Sequence, residues 1–562
     1  MIEFPPGLLL AFGAVLVPVL RGPLRAIWML ALPVAGFVLL WSLPEGNLIP
    51  VTAFGQELEL LRVDRLSRVF GYIFFIASFL GVVYSLHIRA AGESAAALVY
   101  SGAAIGAVFA GDLITLFVYW ELTAIASVFL ILARRTPEAR AAAMRYLIVQ
   151  VGSGVLLLAG LIVRWHETGS VDFNHIGLDG SGGMLILLAF GIKCAFPLLH
   201  NWLADSYSNA TVTGAVILSA FTTKLAVYTL ARGYAGTEEL IWIGAIMAVF
   251  PMFYAVIEND LRRVLAYSLN IQLGFMVVGV GIGTELALNG TAAHAFTHIL
   301  YKALLFMAVG TVMHRTGTAL ASELGGLYKS MPWTTIFCLV GAASISAFPL
   351  FSGFASKSLI LSAAAKEGYI GAWLALVFAS AGALVYIGLK VPFFAFFASG
   401  SGKTVEQAPV NMQAAMAIAA ALCIGIGIFP SILYGILPFP VSYVLYTESH
   451  VLSQLQLLLF SALAFTVLLR TGTYPLQIRA TNLNTDWFYR RLGRFIQQVA
   501  YPLGSSTYSG FRRVAVRRIE LFVMELYRHH GPQGVLARTW PTGSMVLWVA
   551  ILLGGYLLLY FI

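Results

Sequence analysis

An all-α polytopic membrane protein is the fold class this sequence predicts, and three observations predict it. Of 562 residues, 59% are hydrophobic and only 10% charged, with a mean hydropathy of +0.86, far too apolar for a water-soluble globule. Apolar stretches of about 17 to 25 residues, long enough to cross hydrocarbon as a helix, recur from the first residues to the last. Lysine and arginine gather in alternate connecting loops, as they do where those loops face the cytoplasm.

In chain order, helices are expected near 5–20, 26–43, 66–86, 94–111, 112–133 and 142–164. Further ones are expected near 183–199, 210–232, 239–257, 264–284, 290–313, 332–364, 369–397, 411–434, 450–470 and 543–562, about sixteen transmembrane helices in all. The first, "FPPGLLLAFGAVLVPVL", has no basic segment ahead of it and no small-residue cleavage site, so it reads as a retained helix. The cation-rich loops are "RGPLR" (21–25), "RRTPEARAAAMR" (134–145), "NDLRR" (259–263), Arg315 to Lys329 and the Lys403 loop. All fall on one side, which puts both termini outside. Arg62, Arg65 and Arg68 are the one cluster that breaks this pattern. Cys194, Cys338 and Cys423 lie in apolar runs with no metal-ligand spacing and read as core.

The net charge of +9 is concentrated near the C-terminus. Between 470 and 540 there are eleven arginines against Asp486, Glu520 and Glu525. They alternate with an apolar stripe in "DWFYRRLGRFIQQVAYPLG" and "GFRRVAVRRIELFVMELYRHHG", which predicts a lateral amphipathic helix at a membrane or protein surface and not a nucleic-acid site.

Charges inside the apolar runs are the candidate functional residues, because a charge at the bilayer centre is costly and ordinarily faces a bundle interior or a hydrated path. They are Glu121 in "LFVYWELTAIASVFL", Lys193 in "LLAFGIKCAFPLLHNW", Lys224 in "SAFTTKLAVYTL", Lys302 in "HAFTHILYKALLF" and Lys357 in "FSGFASKSLIL". Glu121 and Lys193 are expected far from their helix ends. For Lys357, which follows Ser352, Gly353 and Ser356, a buried ion pair or a snorkelling side chain is the structural alternative. A glutamate and a lysine whose proton affinities respond to burial and to each other make a proton switch. His294, His298 and Lys302 recur every four residues and so share one helix face. They suit a proton relay better than a zinc site, since no third ligand follows. Ala195-Phe196-Pro197-Leu198 recurs as Ala347-Phe348-Pro349-Leu350, each beside an intramembrane lysine. Paired helix interruptions of this kind point to a transport site between inverted repeats. No dinucleotide fingerprint, haem motif or cysteine cluster is visible, so no catalytic residue, cofactor or metal is assigned.

At "YWELTAIASVFLI", "FPLLHNWLADSYSNATVTGAVILSAFTTKLAVY", "NDLRRVLAYSLNIQLGFM" and "HAFTHILYKALLFMAVG" the chain resembles the antiporter-like subunits of Mrp-type cation/proton antiporters and respiratory complex I, over roughly 60–400. The nearest likeness is to the D-type member of the Mrp set. The resemblance implies two inverted five-helix repeats with broken helices, placed at 94–232 and 239–397. They would follow N-terminal helices (1–93) and precede additional helices (398–470), the basic lateral segment (471–540) and a last helix (541–562). It implies proton translocation along Glu121, Lys193, Lys224, His294, His298, Lys302 and Lys357, and Na⁺/H⁺ exchange within a hetero-oligomer in a bacterial inner membrane. The alternatives are a proton-pumping subunit of a complex I-like or hydrogenase complex, and an ion-coupled subunit of an inorganic-carbon accumulation complex. Two departures stand out. Leu203-Ala204-Asp205 lacks the proline of the family's usual motif, and the basic tail resembles the lateral arm of the distal complex I subunit more than the end of a D-type chain.

Overall fold

The computed structural model describes residues 4–480 except 54, 400 and 401, scattered positions from 482 to 528, and residues 542–561. The chain divides into two compact units, Met1–Asn482 and Leu483–Ile562. In the second, Thr542–Phe561 is one apolar helix. The basic amphipathic stretch predicted at 484–530 lies largely outside the described residues.

The first unit is helical, as its composition predicts. Its first thirteen helices are α1 (Pro6–Gly13), α2 (Gly22–Ser42), α3 (Arg65–Ser85), α4 (Ala91–Val108), α5 (Leu113–Leu132), α6 (Pro137–Thr168), α7 (Gly180–Cys194), α8 (Asn201–Asn209), α9 (Val212–Ala220), α10 (Thr222–Gly233), α11 (Glu239–Ile257), α12 (Leu261–Ile282) and α13 (Glu285–Thr316). There follow α14 (Pro332–Ile345), α15 (Ser352–Lys366), α16 (Ile370–Ala383), and further helices at Val410–Ile428, Pro430–Tyr434 and Glu448–Arg470. Among the described residues of both units, 13 helices are long and apolar enough to cross a membrane. Three shorter apolar helices, Pro6–Leu16, Gly180–Cys194 and Pro332–Ile345, stand where the sequence predicts spans of full length.

Local chemistry sets the helix starts. Asp64 caps α3 by accepting from the Ser67 N–H at 2.8 Å, while Ser67 Oγ accepts in return from the Asp64 N–H. Asp112 caps α5 through the Thr115 N–H at 2.7 Å, and Thr136 with Pro137 opens α6. Helices α12 and α13 form the centre, buried along almost their whole length. Small residues let α12 approach its neighbour: a Cβ on Gly244 would stand 2.6 Å from Val278 N, and one on Gly274 2.5 Å from Ala248 N.

Two short antiparallel pairs between α2 and α3, Gly46–Asn47 with Arg62–Val63 and Pro50–Ala53 with Gln56–Glu59, escape the apolar-run reading. They account for the arginine cluster that breaks the charge pattern. Arg62 donates to the Phe173 carbonyl (2.7 Å) and to Asn174 Oδ1 (2.9 Å), and Arg68 pairs with Glu45 at 3.1 Å. These two cations fasten loops together.

Three predicted helices prove interrupted. The expected 332–364 helix divides into α14 and α15 at Ala347-Phe348-Pro349-Leu350. The 210–232 helix breaks at Phe221, between α9 and α10. The 369–397 helix carries π-turns at Leu384–Leu389 and Phe393–Phe397. The expected 183–199 helix ends early at Cys194, so Lys193 lies in a last turn and not far from an end as anticipated. Proline explains the first and last of these, because it removes a backbone donor and forces the chain out of register.

The two tetrapeptides adopt one backbone. Ala195 and Leu198 have φ of 62° and 70°, Ala347 and Leu350 of 56° and 71°, and these are four of the five described non-glycine residues with positive φ. In each, the alanine N–H bonds three residues back (Ala195 to Ile192 O, Ala347 to Ser344 O, both 3.1 Å). The phenylalanine N–H bonds five back (Phe196 to Gly191 O, Phe348 to Ala343 O, both 3.0 Å). This is the Schellman ending that satisfies the last carbonyls of a helix.

Candidate functional site

Helix interruptions and side-chain hydrogen bonds position the titratable groups. Glu121, on α5, is half-buried; its Oε1 is buried without a hydrogen-bond partner and lies against Gly154 of α6, where a Cβ would overlap it. Lys193 is fully buried. Its ammonium does not reach Glu121. It donates to the Trp120 carbonyl (2.6 Å) and Thr123 Oγ1 (3.0 Å) and lies 4.1 Å from the Trp120 ring centroid. The lysine is therefore held one residue from the glutamate's position on α5, near enough for each to sense the other's charge.

Lys224 stands just after the break at Phe221 and donates to the Ser219 carbonyl at 2.7 Å and to Thr223 Oγ1 at 3.2 Å. The break exposes that carbonyl, and a cation is the favoured partner for a helix C-terminus. Tyr100 spans the gap, accepting from the Thr222 N–H at 2.9 Å. Lys224 lies within electrostatic reach of Cys194, the residue after Lys193, and also of Lys302, His298 and His294.

The predicted relay does share one face of α13. The rings of His294 and His298 stack at 5.9 Å with 11° between planes. His294 meets Ser356 Oγ at 2.9 Å and Gln272 Oε1 at 3.1 Å, tying α13 to α15 and α12. His298 is fully buried with both ring nitrogens unpartnered, and Lys302 donates to Ser268 Oγ. Lys357 is buried in the second turn of α15, its ammonium on the Ile345 carbonyl (2.7 Å) and 5.1 Å from the Phe275 ring. It makes no ion pair among the described residues, and it caps the carbonyl that the α14 break frees. His294 senses its charge. Charge interactions thus link Glu121 with Lys193, Lys224 with Lys302, His298 and His294, and Lys357 with both histidines, while Lys193 and Lys224 are connected only through Cys194, the residue after Lys193.

Sequence reasoning missed several participants. Gln272 and Ser356 cradle His294, and the only sign of Gln272 was one amide in the apolar run "NIQLGFM". Lys390, in "YIGLKVPFF", carried the same signal as the chosen lysines. It is fully buried and donates to the carbonyls of Ala255 (3.0 Å), Val256 (2.7 Å) and Glu258 (2.6 Å), closing the C-terminus of α11. Arg262, placed in a loop by the sequence, is also buried and donates to the carbonyls of Tyr207 (2.9 Å) and Ala210 (2.8 Å). Both act as helix-end caps.

Fixed polar contacts close the end of the first half that carries the β-pairs. Arg232 binds Asp64 through both carboxylate oxygens (2.9 and 2.7 Å) and donates to Tyr228 Oη at 2.8 Å; the Tyr228 hydroxyl in turn donates to Val108 O. Burial raises the Asp64 pKa, but the Arg232 charge and the Ser67 N–H outweigh it and hold the carboxyl below its ordinary value.

Residues 110–382 match the family model described as NADH:quinone oxidoreductase/Mrp antiporter, transmembrane. The D subunit of the Na(+)/H(+) antiporter of Alkalihalophilus pseudofirmus is 32% identical over 324 residues, which is 54% of this chain and 65% of that one. The chain thus matches somewhat less than two thirds of that relative's length. Among solved structures, a chain of the Mrp complex from Dietzia sp. superposes with a TM-score of 0.65 at 20% identity, covering 76% of this chain and 91% of its own. A chain of the membrane-bound sulfane sulfur reductase, an archaeal respiratory membrane complex, superposes with a TM-score of 0.67 at 25% identity, covering 77% and 94%. The all-helical multi-pass fold is shared with both.

Proposed function

Because residues 110–382 match the membrane family model shared by NADH:quinone oxidoreductase and Mrp antiporters, we propose that this chain is the proton-translocating subunit of a multisubunit Na⁺/H⁺ antiporter. The row of buried titratable groups carries the reading. Of Glu121, Lys193, Lys224, Lys302, His298, His294 and Lys357, six are buried to 1% exposure or less, and the charge interactions described above support reading them as one series.

Charges buried this deeply persist only where the protein supplies partners, and here most partners are carbonyls and hydroxyls. A proton placed on one group changes the affinity of the next by direct charge interaction, so the row titrates as a coupled set. When Lys193 swings from the Trp120 carbonyl toward Glu121, the carboxylate gains its counter-charge and Lys224 loses a like charge nearby. Lys224 then takes up a proton, which passes along the histidine pair to Lys357. Two inverted repeats, 94–232 and 239–397, would each contribute one helix broken at the repeated tetrapeptide, α7/α8 and α14/α15. The setting we propose is a bacterial inner membrane, with the arginine-rich loops inside, both termini outside, and other membrane subunits as partners.

The test is Na⁺-driven dissipation of a proton gradient in inside-out vesicles that carry the whole complex. Glu121→Gln and Lys193→Ala should abolish it with assembly retained; full exchange in both would contradict the proposal. The likeness to a respiratory complex favours one second reading, a redox-driven pump. Iron–sulfur subunits co-purifying with this chain would select it, and small hydrophobic subunits alone would select the antiporter.

A further inference from the structure

The second half carries a titratable group that the row leaves out. His450 opens the helix Glu448–Arg470 and is partly exposed; in the orientation proposed above it lies on the side opposite the arginine-rich loops. Its ring stacks on Phe354 of α15 at 4.7 Å and 26°, with Tyr443 edge-on at 6.3 Å. Nδ1 lies 2.9 Å from the Leu445 carbonyl, and Nε2 lies 3.2 Å from Ser358 Oγ, the residue after Lys357. One turn further along the same helix, Gln454 donates to the Ser346 carbonyl, next to the Ile345 carbonyl that holds the Lys357 ammonium. The helix face that bears His450 therefore lies along the broken helix of Lys357.

Donor and acceptor accounting assigns the ring two possible states. A carbonyl only accepts, so Nδ1 must carry a hydrogen and donate to Leu445 O. Ser358 has one hydroxyl hydrogen and two possible acceptors, the Phe354 carbonyl at 2.6 Å and His450 Nε2. With a neutral ring, one acceptor goes without. With a charged ring, Nε2–H donates to Ser358 Oγ, the hydroxyl donates to Phe354 O, and every donor and acceptor is matched. The aromatic face of Phe354 also favours a cation. Of the titratable groups nearby, Tyr443 lies edge-on to the ring and Tyr446 against Phe354, on which the ring stacks, while Lys357 precedes Ser358 on α15 and exposed Glu448 stands two residues earlier on the same helix. No carboxylate among the described residues is bonded to the ring, whose two nitrogens meet Leu445 O and Ser358 Oγ.

We propose that His450 is the terminal proton-binding site on the outer side of the second half. It takes the proton that leaves Lys357 and passes it to external water. This rests on the transport reading above. Arrival of the proton at Nε2 turns the Ser358 hydroxyl from Nε2 to Phe354 O; departure to water reverses the turn. One proton enters and one leaves, and no bond between heavy atoms changes.

The experiment uses right-side-out vesicles with the complete complex and compares His450→Ala, His450→Gln and Lys193→Ala. Both His450 variants should assemble and lower exchange by about a hundredfold, the lower range for loss of a positioned proton-transfer group. Imidazole in the outer medium should restore much of the rate to His450→Ala. Wild-type rates in both variants, or a loss that outer imidazole does not relieve, would overturn the proposal and leave His450 a packing residue. Lys193→Ala is the separate control. If it exchanges normally, the transport reading itself fails, whatever the His450 variants do.

Discussion

The two broken helices, α7/α8 and α14/α15, share one backbone and differ in what surrounds it. Both end in the same Schellman turn with the same pair of left-handed residues. In the first, the lysine precedes the turn and reaches across to α5; in the second, it follows the turn and reaches back to the carbonyl of its own broken helix. Their surroundings beyond the break differ as well. Asp64, Arg232 and the β-pairs lock the first, whereas an uncharged loop and one histidine cover the second. A common backbone thus supplies two helix ends inside the bundle, and on the reading proposed above their side chains would seal one and let the other exchange protons.

The largest effect expected from this comparison is on transport. Lys193→Ala and Lys357→Ala should each lower exchange by about two orders of magnitude or more, although their ammonium groups bind unrelated partners. Measured rates that fall for only one of them would show that the two breaks do not work in series.

Glycine substitutions probe the packing around each break. A Cβ on Gly353 would overlap the Ser344 carbonyl, and one on Gly427 the Leu350 carbonyl, whereas one on Gly191 would meet only the Phe196 ring at 2.5 Å. Gly353→Ala and Gly427→Ala should each destabilise the protein by about 1–3 kcal/mol, the usual cost of overpacking, and Gly191→Ala by less, because a ring moves more readily than a backbone. Thermal unfolding of the purified complex would order them.

The sealed end makes a pH prediction. The Asp64 pKa is held below its ordinary value, mainly by Arg232 acting against burial, so the pair stabilises above the unfolded carboxyl's pKa. That stability is lost as pH falls through the lowered pKa of the folded state. Asp64→Asn should therefore be less stable than the parent at neutral pH, with the gap in melting temperature closing in acid. A gap that is constant with pH would show that the charge on Asp64 does not carry the effect, since asparagine caps a helix as well as aspartate.

The smallest effect concerns the turns themselves. Ala195 and Ala347 sit at φ of 62° and 56°, where a Cβ costs about 1–2 kcal/mol and glycine pays only in chain entropy. Ala195→Gly and Ala347→Gly should raise stability slightly and equally; an unequal response would show that the two backbones carry different strain.

Much of this was legible in the sequence because a charge in an apolar run is conspicuous. All seven candidate groups were visible that way, and the repeated tetrapeptide marked both breaks. What could not be read was direction. Nothing in "GIKCAFPL" says that Lys193 will choose the Trp120 carbonyl over Glu121, since that choice depends on the approach of α5 to α7. Lys390 and Arg262 show the converse: their charges were plain, but only tertiary packing reveals that they cap α11 and α8. His450 gave no signal at all, because "TESHVL" reads as the polar start of a helix and its contacts with Ser358 and Leu445 arise from folding.

On the proposed reading Lys224 is the link between the two halves, since its charge interacts with Cys194, the residue after Lys193, and with His298 and Lys302. The most direct test is proton-coupled Na⁺ exchange by the complete complex carrying Lys224→Ala, with subunit composition checked in parallel. A continuous mid-membrane row predicts an assembled complex that no longer exchanges, because both halves remain but nothing joins them; exchange at the parental rate would contradict it.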